Sequence, residues 1–184
     1  MHGAAVLTER THELKEDSAK HQSYAVLILA AAVLTALDQA TKILAEKTLP
    51  GNPRVLIPGV FELRYLENRG AAFGILQNQR WFFLILTAVF LAAIWLIWGR
   101  IPPARKYLPL RILACAVTAG AAGNLIDRAL LSYVRDFLYF SLIDFPIFNV
   151  ADVYVSVSAV VLAALIFFYY KDDDFDRIFS KSAK

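Results

Sequence analysis

Residues 112–131 read ILACAVTAGAAGNLIDRALL, and this stretch decides the fold. It is uncharged through Gly123, then places Asn124, Asp127 and Arg128 close to its end. A helix of this length spans about 30 Å, the thickness of a bilayer's hydrocarbon core. A charge at membrane depth is costly and marks a functional hypothesis by default. The polar end of this segment is therefore the place to look for chemistry.

Working outward, three more blocks are long and apolar enough to span. Trp81–Trp98 has no charged residue and carries a tryptophan at each end, as in an aromatic belt. Val150–Tyr170 has one charge, Asp152, near its start. Tyr24–Leu44 is apolar until Asp38 and Lys42. Its core, Ala25–Leu37, has the length of a signal-peptide h-region, but four acidic residues precede it and the helical pattern continues past Leu37. At 184 residues and 58% hydrophobic, the chain fits an all-α membrane protein of one domain with four transmembrane helices. The expected organisation is a flexible cytoplasmic arm over 1–23, a four-helix domain over 24–170 and a cytoplasmic tail over 171–184.

The short loop after Trp98 carries Arg100, Arg105 and Lys106, with Arg111 just beyond, and no acidic residue. The excess of basic residues assigns that loop to the cytoplasm. Both termini are then expected inside, and Leu44–Arg80 and Ser132–Asn149 outside. On this topology Asp38, Lys42, Asn124, Asp127, Arg128, Asp136, Asn149 and Asp152 all converge on the outer interface. Within Leu44–Arg80, Val55–Ile57 and Phe61–Tyr65 flank Pro58-Gly59, which reads as a small β-like hairpin. Asn68–Gly74 follows, with two glycines that admit a close backbone approach.

Elimination narrows the chemistry. His2, His12 and His21 all lie in the N-terminal arm, so no histidine serves a triad or a zinc site at the outer face. Cys115 is the only cysteine, which excludes an internal disulfide and a multi-cysteine metal site. A Ser-Lys pair with Lys42 or Lys47 is possible in principle, but no serine neighbours either in sequence, which leaves paired carboxylates. Two close aspartates do not both ionise easily, so one keeps a proton while the other activates water.

Five short segments carry a resemblance. They are Asp38-Gln39-Ala40-Thr41-Lys42, Asn68-Arg69-Gly70-Ala71-Ala72-Phe73, Gly120-Ala121-Ala122-Gly123-Asn124-Leu125-Ile126-Asp127-Arg128, Val134-Arg135-Asp136-Phe137 and Phe148-Asn149-Val150-Ala151-Asp152. Together they resemble bacterial lipoprotein signal peptidase (signal peptidase II), an aspartic protease family of the inner membrane, over about residues 24–170. The resemblance implies a multi-pass protein of the bacterial cytoplasmic membrane, with its site at the extracytoplasmic interface. It implies removal of the signal peptide from diacylglyceryl-modified prolipoproteins, on the amino side of the lipidated cysteine. Asp136 and Asp152 match the catalytic pair. Asp38, Lys42, Asn68, Gly70, Asn124, Asp127, Arg128 and Asn149 match residues that bind substrate or support the site. The implied partners are a lipid-modified prolipoprotein and membrane lipid, with no nucleic acid, cofactor or metal. Oligomeric state is left open, a monomer being sufficient. Ala119 and Ser132 stand where the family often has glycine, and the stretch from Phe137 to Phe148 is short.

Other readings compete. A transporter or proton relay would use Asp38, Asp127 and Asp152, but needs polar groups through the full depth. A non-enzymatic anchor would use Ala119–Gly123 only to pack helices. Asp38 with Lys42, and Asp127 with Arg128, read equally well as pairs that hold the fold. Cys115 reads as packing, Trp81, Trp95 and Trp98 as interface anchors, Asp144 as a solvated turn residue, and Asp172–Asp174 as a solvated tail.

Overall fold

The computed structural model describes residues 2–70 and 75–179, with side chains from residue 22 onward. Ala71, Ala72 and Phe73 of the second matched segment, and Gly74 after it, lie outside the described residues.

Helix α1 (His2–Thr48) is followed by strands β1 (Arg54–Ile57) and β2 (Phe61–Asn68) and helix α2 (Arg80–Trp98). Helix α3 (Leu108–Leu131), strand β3 (Val134–Tyr139), helix α4 (Val150–Phe168) and a short helix α5 (Asp172–Phe179) complete the order. The four long helices each contain a segment apolar and long enough to cross a membrane. In α2 only Trp98 is buried, and in α4 only Ala151 and Ser158. Helices apolar on nearly every face, with so little protein cover, are suited to lipid.

Small residues bring α3 and α4 together. A methyl group on Gly120 would sit 2.5 Å from the Ala151 carbonyl oxygen, and one on Gly123 would overlap the Asp38 carboxylate. Ala119 is fully buried, and the Thr35 hydroxyl of α1 donates to its carbonyl at 3.3 Å. Glycine and alanine at these positions set how near the three polar helix ends can approach.

The expected hairpin forms, with Gly59 at φ 69° in its turn, and β2 continues through Asn68. No apolar alternation marks the third strand in the sequence. Val134–Tyr139, expected as loop, pairs antiparallel with β2 and completes a sheet of order β1-β2-β3. Leu66 lies opposite Asp136 and Asn68 opposite Val134. Asp136 is thus held on a strand. Ser132 caps α3 in the left-handed region at φ 70°, the conformation that favours glycine. It turns the chain from α3 directly into β3.

Helix α1 begins within the N-terminal arm, at His2. Two other sequence expectations need correction. Trp98 is no lipid-facing anchor: it is 2% exposed and its indole N–H donates to Ser23 Oγ at 3.0 Å. Nor is Asp172–Asp174 simply a solvated run. Asp174 is buried, accepting from Lys106 Nζ at 2.6 Å and the Tyr107 hydroxyl at 2.8 Å, and these bonds hold its carboxyl down near pKa 2. The expectation for Cys115 stands, since it packs with Leu27 and Trp98. So does that for Asp144, exposed in its turn beside Tyr139.

Candidate active site

Every singled-out residue belongs to one connected network at the sheet end of the bundle, Gly70 joining through its N–H to Asn68 Oδ1 at 3.0 Å and Arg128 through the Gly70 carbonyl. It begins at the start of α4. Asn149 is the N-cap, its side-chain oxygen accepting from the Asp152 backbone N–H at 3.1 Å. The Asp152 carboxylate accepts from the Asn149 backbone N–H at 3.1 Å. This reciprocal capping box orients Asp152 while satisfying the helix start. The Asn149 amide then donates to Asp136 Oδ1 at 2.6 Å.

The second carboxylate is 1% exposed on β3. Besides Asn149, Asp136 accepts from Asn68 Nδ2 of β2 at 2.9 Å. Asn124 of α3 donates to Asp152 Oδ1 at 2.8 Å and accepts from Lys42 Nζ at 2.8 Å. Asp136 and Asp152 thus share one asparagine and face one cavity. That cavity is about 430 Å³, lined also by Asn68, Arg128 and the apolar side chains of Phe145, Ile147, Phe148, Val153 and Val157.

Behind it lies a second layer of charge. Lys42, Asp38 and Asp127 are fully buried. Lys42 Nζ lies 2.9 Å from Asp38 and 3.6 Å from Asp127. Asp38 also accepts from the Ala151 backbone N–H at 2.9 Å, tying α1 to the first turn of α4. Asp127 does not pair with its neighbour Arg128. Its cations are Lys42 and Arg135, the latter at 2.6 Å. Arg128 instead lies over the Phe83 ring and donates to the Gly70 carbonyl at 3.1 Å. It holds the loop after β2 against the cavity.

Gly70 has no room for a side chain, since a methyl group there would meet the Ile75 carbonyl oxygen at 2.5 Å. Gly70→Val should therefore displace the loop that Arg128 grips. We expect turnover to fall by roughly tenfold or more, as small misplacements near reacting groups do. Parent-like rates with Gly70→Val would count against the close approach.

Sequence reasoning left out Gln39, Glu46 and Arg135. Gln39 Nε2 donates to Asp127 Oδ1 and to the Gly123 carbonyl, both at 3.1 Å. Arg135 reaches Glu46, Gln39 and Asp127. A signal was present for Glu46, four residues after Lys42 on the same helix face.

Electrostatics complete the site. Burial, and then the nearby Asp152 carboxylate, push the Asp136 carboxyl up to about 7, against the hydrogen bonds from Asn68 and Asn149. Among the described residues, no group of histidine, cysteine, aspartate and glutamate has the arrangement of a metal site.

Comparison with known proteins gives a consistent result. Residues 30–168 match the family model described as Signal peptidase (SPase) II. A lipoprotein signal peptidase of Brevibacillus brevis is 48% identical over 140 residues, covering 76% of this chain and 93% of the relative. One from Streptococcus pyogenes serotype M5 is 35% identical over 151 residues, covering 82% and 96%. A bacterial membrane enzyme solved by the in meso method at 2.3 Å superposes with TM-score 0.69 at 30% identity, covering 87% of this chain and 95% of that one. A second, at 1.9 Å, gives TM-score 0.69 at 32% identity, covering 79% and 95%.

Proposed function

The chain belongs to the signal peptidase II family, and from that membership and the site we propose a specific reaction. The enzyme cuts the signal peptide from a prolipoprotein on the amino side of its diacylglyceryl-modified cysteine, with Asp136 and Asp152 as the catalytic pair. The observation that carries this is the shared cavity. Two carboxylates from different elements face it, bridged by Asn149.

The steps balance without a cofactor. The ionised carboxylate takes a proton from water as the water oxygen attacks the scissile carbonyl carbon. The protonated partner donates to the carbonyl oxygen. The tetrahedral adduct collapses, the C–N bond breaks, the leaving nitrogen takes up the proton that the base received, and one hydroxyl of the adduct returns a proton to the carboxylate that had donated it. A new carboxyl and the free amino group of the lipidated cysteine result. Which aspartate starts as base is a property of the pair. Asn124, Asn149 and Asn68 hold the two carboxylates; Arg128 and Gly70 shape the wall. The apolar lining from Phe145, Ile147, Phe148, Val153 and Val157 suits a substrate whose lipid stays in the bilayer. The basic loop after α2 supports a topology with both termini in the cytoplasm and the sheet outside, in the inner membrane.

The test is incubation of the purified protein in detergent with a prolipoprotein, with and without its diacylglyceryl group, and mass analysis of the products. The expected result is one cut, before the lipidated cysteine, in the modified substrate. Equal cleavage of the unmodified substrate, or cleavage elsewhere, would refute the assignment.

A pH dependence follows from Asp136. Its folded pKa of about 7 lies above that of a free carboxyl, so the folded state holds this proton through the window from about 4 to 7. Stability from this group is complete below that window and declines as pH rises through it. The rate should fall as pH rises beyond about 7, when the pair loses its last proton. A rate that keeps climbing above that range would contradict the shared-proton reading.

A further inference from the structure

Asn68 and Asn149 fix the side chain of Asp136. Its backbone is fixed from the other face of the strand. Successive side chains on β3 point to opposite sides. Asp136 faces Asn68 and the start of α4, while Arg135 faces α1 and α3.

Arg135 is 6% exposed and all three nitrogens of its guanidinium donate hydrogen bonds. Nε and Nη2 donate to the two oxygens of Asp127 at 3.2 and 2.6 Å. Nη2 also donates to Gln39 Oε1 at 2.8 Å, and Nη1 to Glu46 Oε2 at 3.0 Å. The backbone N–H of Arg135 donates to Asp127 Oδ2 at 3.0 Å. One residue therefore joins β3 to two helices through both side chain and main chain. The neighbouring apolar cluster of Ala45, Leu49 and Phe137 also joins β3 to α1, but apolar contact is not directional. A planar guanidinium forked across a carboxylate is directional.

We infer that Arg135 is a positioning residue: seated on Asp127, Gln39 and Glu46, it sets β3 against α1 and α3 and so places Asp136 opposite Asp152. This rests on the reading of Asp136 as catalytic. Without the fork, Asp127 keeps Lys42 at 3.6 Å, so the buried carboxylate is not left without a cation. A lysine at 135 keeps the charge but not the two-point grip. The strand then retains its ladder to β2 and loses its fixed angle to the helices.

The test measures kcat, KM, the pH–rate profile and thermal unfolding for Arg135→Lys and Arg135→Met, with Asp136→Asn alongside. The expected result is a kcat reduced roughly 10- to 100-fold, as for other misplacements of a reacting group, with KM close to that of the parent. The alkaline limb should also move to lower pH, because Asp136 gains water when the strand loosens. The charged groups that face Asp136 are Asp152 from α4, Arg128 from α3 and Lys42 from α1, with neutral Asn68 from β2, and all are unchanged in these variants. Loss of stability alone lowers the active fraction but leaves the limb in place.

Folded Arg135→Lys with parent kcat and an unmoved limb overturns the inference. If both variants fail to fold, Gln39→Ala and Glu46→Gln each remove one seat of the guanidinium, and parent kcat and limb in both would overturn it equally. Activity in Asp136→Asn would instead refute the reading of the site. An inert Asp136→Asn beside a normal Arg135→Lys refutes only the positioning role.

Discussion

Lys42→Met is expected to destabilise the protein by about 3–5 kcal/mol, the range for removing one partner from a buried ion pair. Lys42, Asp38 and Asp127 are all fully buried, and Lys42 is the only cation within 4 Å of Asp38 among the described residues. Methionine fills a similar volume, so the loss is electrostatic rather than a cavity. Asp127 keeps Arg135, whereas Asp38 is left charged and unpaired beside Gly123 and the Ala151 amide. Adding Asp38→Asn to Lys42→Met should restore part of the lost stability, because the orphaned charge is gone. Thermal unfolding in detergent reads both. A Lys42→Met protein that melts with the parent would mean the pair contributes nothing net.

The sequence made the membrane helices legible because each is a long uncharged block whose polar residues stand at one end. It made Asn149 and Asp152 legible as polar groups at a span's start, whereas their reciprocal capping of α4 emerges only in the structure. What it hid was pairing between distant segments. β3 meets β2 across more than 60 residues, as in Leu66 opposite Asp136, and its adjacent Arg135 and Asp136 break any apolar alternation. The choice of partner for Asp127 was hidden for the same reason. Arg128 is adjacent in sequence, but neighbouring residues on a helix point about 100° apart, and Arg135 arrives from the strand instead. Asp174 looks solvated within its acidic run, yet Lys106 and Tyr107 come to it from the turn before α3. Ser132 is the opposite case. It stands where the family often has glycine, and it does take a positive φ.

The second large effect falls on the carboxylates. Asp136→Asn and Asp152→Asn should each reduce turnover by roughly 10²- to 10⁴-fold, the contribution of a positioned acid or base. An amide keeps the size of the carboxyl but neither accepts a proton from water nor donates one to a carbonyl oxygen at neutral pH. In Asp136→Asn the amide carbonyl accepts from Asn68 or Asn149, and the hydrogen bond to the other oxygen is lost. Asp136→Asn also removes a carboxyl that is costly to ionise, so the stability of that variant relative to the parent should rise as pH rises towards about 7. Loss of activity with retained stability separates a chemical role from a structural one.

The most direct test is the initial rate of cleavage of a diacylglyceryl-modified prolipoprotein by parent, Asp136→Asn and Asp152→Asn, each purified in detergent and shown by thermal unfolding to be folded. The prediction is a single cut before the lipidated cysteine by the parent, and no cut on the same timescale by either variant. Near-parent turnover by a folded Asp136→Asn or Asp152→Asn would contradict the carboxylate pair.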